Sequence, residues 1–264
     1  MPLTPQLVGI VNATPDSFSD GGKYHPLEQV KSLIQAGASV IDIGAESTRP
    51  NASPLTAAEE WERLEPFLKE AITLCHAHQV KVSLDSYHPE NIRNALPLGL
   101  DWVNDVNALH SPDMISALQA YPQADYVLMH SLGIPANPAI YVDENQDIVE
   151  VLMAFFVEKL GMLAHHGISH DRVILDVGIG FGKTAEQSLQ LLRHMREFQA
   201  LGCRLLVGHS RKSCLARFTQ NAPAAERDGA TLAVSLSLAK QGVDYLRVHN
   251  VPLHSQAFMT EAYL

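Results

Sequence analysis

Eight short runs rich in β-branched and apolar residues alternate with eight longer segments of helical patterning, and this alternation constrains the fold of the 264-residue chain more than any other feature. The pattern predicts strands near 7–12, 39–43, 80–85, 101–106, 125–130, 172–176, 204–208 and 243–248. Helices are expected near 26–37, 56–78, 89–97, 112–119, 145–166, 185–200, 226–241 and 253–262. Each strand–helix pair has the length of one βα unit. The expected class is therefore α/β, a single (β/α)8 TIM barrel over residues 1–264, with no Pro/Ser-rich linker to divide it. A doubly wound open sheet is the competing architecture. That fold normally carries a glycine-rich dinucleotide turn after its first strand, where this chain has Asn12-Ala13-Thr14-Pro15-Asp16.

With 46 % hydrophobic and 18 % charged positions, the composition is that of a globular protein. A formal net charge of −10 argues against general nucleic-acid binding, which needs a basic face. Arg204, Arg211, Lys212 and Arg247 do cluster in the last quarter, which leaves room for a local anion pocket. Cys75, Cys203 and Cys214 form no CxxC pair, and an odd number cannot all pair, so a reducing cytoplasm is expected. No apolar run approaches the ~20 residues of a membrane helix, and the N-terminus shows no signal-peptide pattern. Neither a membrane nor a nucleic acid is an expected partner.

A barrel of this kind gathers its functional residues where strands end and βα loops begin. Those ends read Asn12; Asp42 with Glu46-Ser47-Thr48-Arg49; Asp85-Ser86; Asn104-Asp105; Met129-His130; Asp176; Ser210-Arg211-Lys212; and Arg247 with His249. Taken singly, Asp42, Ser86 or Asp105 is as readily a turn or helix cap. Together, the carboxamides, carboxylates and cations suit a flat heterocycle with many hydrogen-bonding edges and a phosphorylated group. The first strand runs into a long Gly- and Pro-punctuated stretch ending at Gly21-Gly22, the pattern of a binding loop. After the sixth strand, Gly178-Ile179-Gly180-Phe181-Gly182-Lys183-Thr184 lacks the spacing of a P-loop. It reads instead as a loop that lets backbone approach a ligand while Asp176 accepts from a donor pair, with Lys212 the expected partner of its charge. The thirteen histidines form no helical ligand pair, which argues against structural zinc. A magnesium ion held mainly by substrate phosphates needs only one or two protein oxygens. There is no G-x-S-x-G elbow or ordered triad to suggest a hydrolase.

These blocks resemble the dihydropteroate synthase family over nearly the whole chain: VNATPDSFSDGG at 11–22, GASVIDIGAESTRP at 37–50, SLDSYHPE at 83–90, VNDV at 103–106, LMH at 128–130, LDVGIGFGKT at 175–184, LVGHSRKS at 206–213 and RVHNV at 247–251. The resemblance implies a transferase of folate biosynthesis. It would condense 6-hydroxymethyl-7,8-dihydropterin diphosphate with p-aminobenzoate to give 7,8-dihydropteroate and pyrophosphate. It further implies that Asp85, Asn104, Asp176 and Lys212 hold the pterin edges, with Met129 and Phe181 as apolar packing. Arg247 would stack on the ring and bind the diphosphate with His249 and Asn12, and Asn12 would ligate Mg2+. Thr14, Pro15, Asp16, Phe18 and Asp20 of the first loop, Ser47, Thr48, Arg49 and Pro50 of the second, and Ser213 would form the p-aminobenzoate site. Asn12, Asp20, Arg49, Lys212, Arg247 and His249 would carry the catalytic roles, and Ser210, with Phe18 and Pro50, implies sulfonamide sensitivity. A homodimer through the later helices is implied as well.

The chain departs from the usual pattern at Val177, Ile179, Ser86, Asn250, Asn51 and Ser131-Leu132. A pterin-binding paralogue without synthase activity and a pterin-dependent methyltransferase-type domain are therefore the alternatives. The latter would have no use for both the TPDSFSDGG loop and the SRKS block.

Overall fold

The computed structural model describes residues 4–13, 26–46, 54–137 and 139–264. Eight parallel strands close in sequence order into a barrel: β1 (Gln6–Asn12), β2 (Val40–Gly44), β3 (Lys81–Asp85), β4 (Trp102–Asp105), β5 (Asp125–Met129), β6 (Val173–Asp176), β7 (Arg204–Val207) and β8 (Tyr245–Val248), with β8 paired back to β1. The helices are α1 (Pro26–Gln35), α2 (Ala57–Ala77), α3 (Pro89–Ala95), α4 (Pro112–Ala120), α5 (Ile148–His165), α6 (Ala185–Arg193), α7 (Asp228–Lys240) and α8 (Val251–Tyr263). The (β/α)8 expectation holds. Among the described residues no helix is long and apolar enough to cross a membrane.

Several boundaries shift for local reasons. Helix α6 stops at Arg193, and residues 195–201 continue as a tighter 3-10 turn, so the helix expected over 185–200 is two elements. Helix α5 starts only after Asp147, whose carboxylate accepts from the Val149 and Glu150 amides. Strand β8 starts at Tyr245, and the Asp244 side chain just before it accepts from Leu205 N at 2.8 Å.

Side chains of a strand alternate between faces. Inward positions of the barrel carry Val8, Val40, Trp102, Val127, Ile174, Leu206 and Tyr245, which pack as one cluster, with Trp102 edge-on to Tyr245 at 4.7 Å. The much larger cluster, including Ile41, Ile43, Leu68, Leu84, Phe156 and Phe198, fills the space between strands and helices. The inner cluster makes the barrel a packed plug and not a pore. Whatever chemistry the barrel performs is thereby confined to its ends.

Candidate active site

Two residues beyond the inner cluster, the same inward-facing alternation changes character. Val40 is followed by Asp42, Trp102 by Asn104, Val127 by Met129, Ile174 by Asp176, Leu206 by Gly208 and Tyr245 by Arg247. The register brings them level: Asp85 pairs with Asn104, and Met129 with Asp176. Strand period and barrel closure together convert residues up to 205 positions apart into neighbours.

The cations and carboxylates meet in a largely buried cluster. Arg247 donates from Nε to Asp42 Oδ2 at 2.6 Å and from Nη2 to Asp85 Oδ2 at 2.9 Å. Asn104 Nδ2 donates to the same Asp42 oxygen at 3.1 Å. Burial, followed by the charge of Asp42, pushes the Asp85 carboxyl up to about 7, against the pull of Arg247. Burial and Arg247 lower Lys212 to about 8, opposed by Asp176. Asp176 is raised by burial, although Gly178 N–H donates to its Oδ1 at 2.8 Å and Lys212 favours its ionised form. Asp85 and Lys212 therefore hold their charges only weakly, ready to respond to a ligand.

Lys212 differs from its expected place. Its ammonium lies 4.4 Å from the centre of the Phe181 ring, a cation–π arrangement, and no ion pair to Asp176 forms within 4.0 Å. Asp176 Oδ2 receives no donor from the described residues and points toward Gly208, where a Cβ would lie 3.7 Å away. An acceptor next to unfilled space suits a ligand N–H. Met129 and Phe181 pack together with Val106 and Ala136 as the apolar wall of this mouth. The loop that carries Phe181 turns at Gly178, with φ of 64°, where any Cβ would collide with the His130 carbonyl.

The remaining expected residues divide. Asn12 is exposed at the end of β1, and His249 follows β8. Ser210 is buried, and its Oγ lies 3.0 Å from His249 Nδ1 and accepts from His249 N at 3.2 Å, so its hydroxyl orients that histidine. Ser213 is exposed where the chain leaves β7. Thr14, Pro15, Asp16, Phe18, Asp20, Ser47, Thr48, Arg49 and Pro50 lie outside the described residues. Two members of the expected basic cluster belong elsewhere. Arg204 begins β7 and therefore sits at the opposite end of the barrel, paired with Asp125 at 2.9 Å. Arg211 is held by both oxygens of Asp228, at 2.7 and 2.9 Å, so its charge is already neutralised.

Ser86 and Asp105 take the plainer roles. Asp105 accepts from the Asn107 and Leu109 amides and from Tyr126 Oη, folding its own turn. Ser86 donates to buried Glu60 at 2.5 Å, and Asn91 donates to the same oxygen.

Sequence reasoning gave no task to Lys183. Its ammonium donates to Phe181 O at 2.8 Å, His130 O at 3.3 Å and His130 Nδ1 at 2.9 Å, which ties the β6–α6 loop to the end of β5. Burial lowers it to about 7 and keeps His130 neutral, down to about 3. The neighbouring Thr184 caps α6 in a reciprocal box with Gln187, so Gly-Lys-Thr here braces a loop.

A family model described as "Pterin binding enzyme" matches residues 8–249. The chain is 38 % identical to a dihydropteroate synthase from a Synechocystis strain over 254 residues, 95 % of this chain and 86 % of that protein. The crystal structure of dihydropteroate synthase from Anaplasma phagocytophilum with bound 6-hydroxymethylpterin-monophosphate superposes with a TM-score of 0.89 at 35 % identity, covering 99 % of both chains. Dihydropteroate synthase from Xanthomonas albilineans with 4-aminobenzoic acid superposes with a TM-score of 0.88 at 34 % identity, covering 98 % of this chain and 92 % of that one. With a fold and a sequence that match these proteins nearly end to end, the chain belongs to the dihydropteroate synthase family of pterin-binding enzymes.

Proposed function

We propose that the barrel mouth joins 6-hydroxymethyl-7,8-dihydropterin diphosphate to p-aminobenzoate, releasing pyrophosphate and forming 7,8-dihydropteroate. The observation that carries this reading is the cluster of Asp85, Asn104, Asp176, Lys212 and Arg247 beside the Met129–Phe181 wall. A pterin presents an edge of amino and ring N–H donors, which Asp176 Oδ2 and Asp85 would accept. Lys212 and Asn104 would serve its remaining edges. Arg247 and His249 would meet the diphosphate, with Asn12 at the outer rim.

In the reaction the bond from the exocyclic methylene carbon to diphosphate oxygen breaks, and its electron pair leaves with pyrophosphate. The amine lone pair of p-aminobenzoate forms the new C–N bond, and the nitrogen then releases a proton. The leaving group can accept that proton. An aniline is uncharged at neutral pH, so no strong base is required, and the dihydropterin ring delocalises positive charge left on the methylene. The cations of the mouth stabilise the charge that develops on the departing oxygen. Among the described residues no group of three or more His, Cys, Asp or Glu side chains gathers to hold a metal. The exposed carboxamide of Asn12 fits a magnesium ion coordinated mainly by diphosphate oxygens, and that ion would add neutralising charge to the leaving group.

The first and second loops, with Ser213, would complete the p-aminobenzoate site, where sulfonamides would compete. A second copy of the chain would pack against the later helices, where Phe218 and Met259 are 60 % and 72 % exposed. Sedimentation velocity tests that assembly. The function itself is tested by pyrophosphate release from the dihydropterin diphosphate and magnesium, with and without p-aminobenzoate. Release that requires p-aminobenzoate and yields dihydropteroate supports a synthase; tight pterin binding without turnover would identify a binding protein on the same scaffold.

A further inference from the structure

Asp42 stands at the mouth, but the reaction above gives it no contact with substrate. Its side chain is 1 % exposed, on the strand midway around the barrel between β8 and β4. Its hydrogen bonds among the described residues all run through one oxygen. Oδ2 accepts from Arg247 Nε and Asn104 Nδ2, one from each flank, while buried Oδ1 has no donor.

The two donors have little freedom left. A guanidinium is a rigid plane, and with Nε on Asp42 and Nη2 on Asp85 its plane is set along that edge, which leaves Nη1 uncommitted among the described residues. A carboxamide with one N–H on a carboxylate has its second N–H and its oxygen aimed by that bond. We propose that Asp42 is a positioning residue for this reaction, its Oδ2 orienting both the Arg247 guanidinium and the Asn104 carboxamide toward the pterin diphosphate. This rests on the assignment of Arg247 and Asn104 to substrate given above.

Burying a carboxylate is costly unless donors surround it, so the arrangement is mutual: Asp42 needs both partners as much as they need it. Asp42 also acts on Asp85. The groups bearing on Asp85 are Asp42 and Glu60, which disfavour its ionisation, and Arg247 and Lys212, which favour it. Removing the Asp42 charge would let Asp85 ionise at lower pH, a change that loosened packing alone would not produce.

The test is D42N, nearly isosteric and uncharged, assayed by pyrophosphate release in the full-length protein across the acid range. The KM for the pterin diphosphate should rise roughly 10-fold or more, as when a charge-assisted hydrogen bond is lost. The KM for p-aminobenzoate should hold within about 2-fold, and the acid limb of kcat/KM should move to lower pH. A folded D42N with the parent's pterin KM and acid limb overturns the proposal. If D42N does not fold, the unaltered protein decides. Its Arg247 Nε–H resonance, followed by 15N NMR, should stay shifted and slow to exchange when pterin diphosphate saturates the site. Loss of that signature on saturation would make Asp42 a partner of the resting state only, and the proposal would fail. A parent protein that neither binds pterin nor turns over would refute the site assignment itself, whatever D42N does.

Discussion

The two ends of the barrel use the same kinds of side chain to opposite effect. At the N-terminal end, Asp125 takes Arg204 at 2.9 Å and Lys81 at 3.6 Å, Asp101 accepts from Val82 N and lies 2.9 Å from His76, and Asp244 accepts from Leu205 N. Burial works against the charge of Arg204, but Asp125 and Tyr245 together outweigh this and raise it above its ordinary value. At the C-terminal end, burial and like charges push Asp85 up to about 7 and Lys212 down to about 8. One end spends its charges on itself. The other keeps them desolvated and incompletely paired, a state that costs stability and is repaid only when a ligand supplies the missing partners.

The sharpest way to break this contrast is D176N. The substitution keeps the oxygen that accepts from Gly178 but turns the open acceptor into a donor, facing a ligand donor. Pterin affinity should fall roughly 1,000-fold by calorimetry, the scale of losing a buried charged hydrogen bond; unchanged affinity would remove Asp176 from the pocket.

Behind the mouth, His209 and His254 share Ser235 Oγ at 2.8 and 3.0 Å. Burial lowers both, His209 to about 4. Their folded values lie below the unfolded 6.5, so the unfolded chain binds more protons in that window, and stability is lost as pH falls from 6.5 toward 4. For His209 the loss is on the order of 3 kcal/mol across the window. Thermal melts of H209N should show a flatter acid slope than the parent, and an identical slope would mean that His209 does not resist protonation.

K183M should be milder. Freed from the His130 and Phe181 carbonyls, the β6–α6 loop should raise the pterin KM about 10-fold with little change for p-aminobenzoate. Equal effects on both substrates would contradict a role confined to this loop. R204M, at the other end, should cost about 1 kcal/mol of stability in a denaturant titration and leave both KM values intact, because Lys81 still faces Asp125. A change in either KM would show that the two ends are coupled.

Much of this was legible from local pattern. The strand runs are short and continuous in apolar residues because both faces of a barrel strand are buried, and their ends carried the polar residues that the fold gathers. Asp85, Asn104, Asp176, Lys212 and Arg247 could be placed on one rim because each lies near or just past the C-terminal end of its own strand. The strand expected over 204–208 already put Arg204 at its start, but the diversion of Arg211 was not legible. Asp228, which holds Arg211, sits at the start of a helix with no motif around it. Lys183 was likewise hidden, because its distant partners are the ring and carbonyl of His130, just past β5.

By itself the sequence determined the number and order of the βα units and the chemical inventory at the strand ends, since both depend on residues close together in the chain. Only the tertiary structure decided which charges are spent and which are held in reserve. Pairing across Asp42, Asp85 and Arg247 depends on closing the barrel, which brings residues 205 positions apart to 2.6 Å in a place water barely reaches.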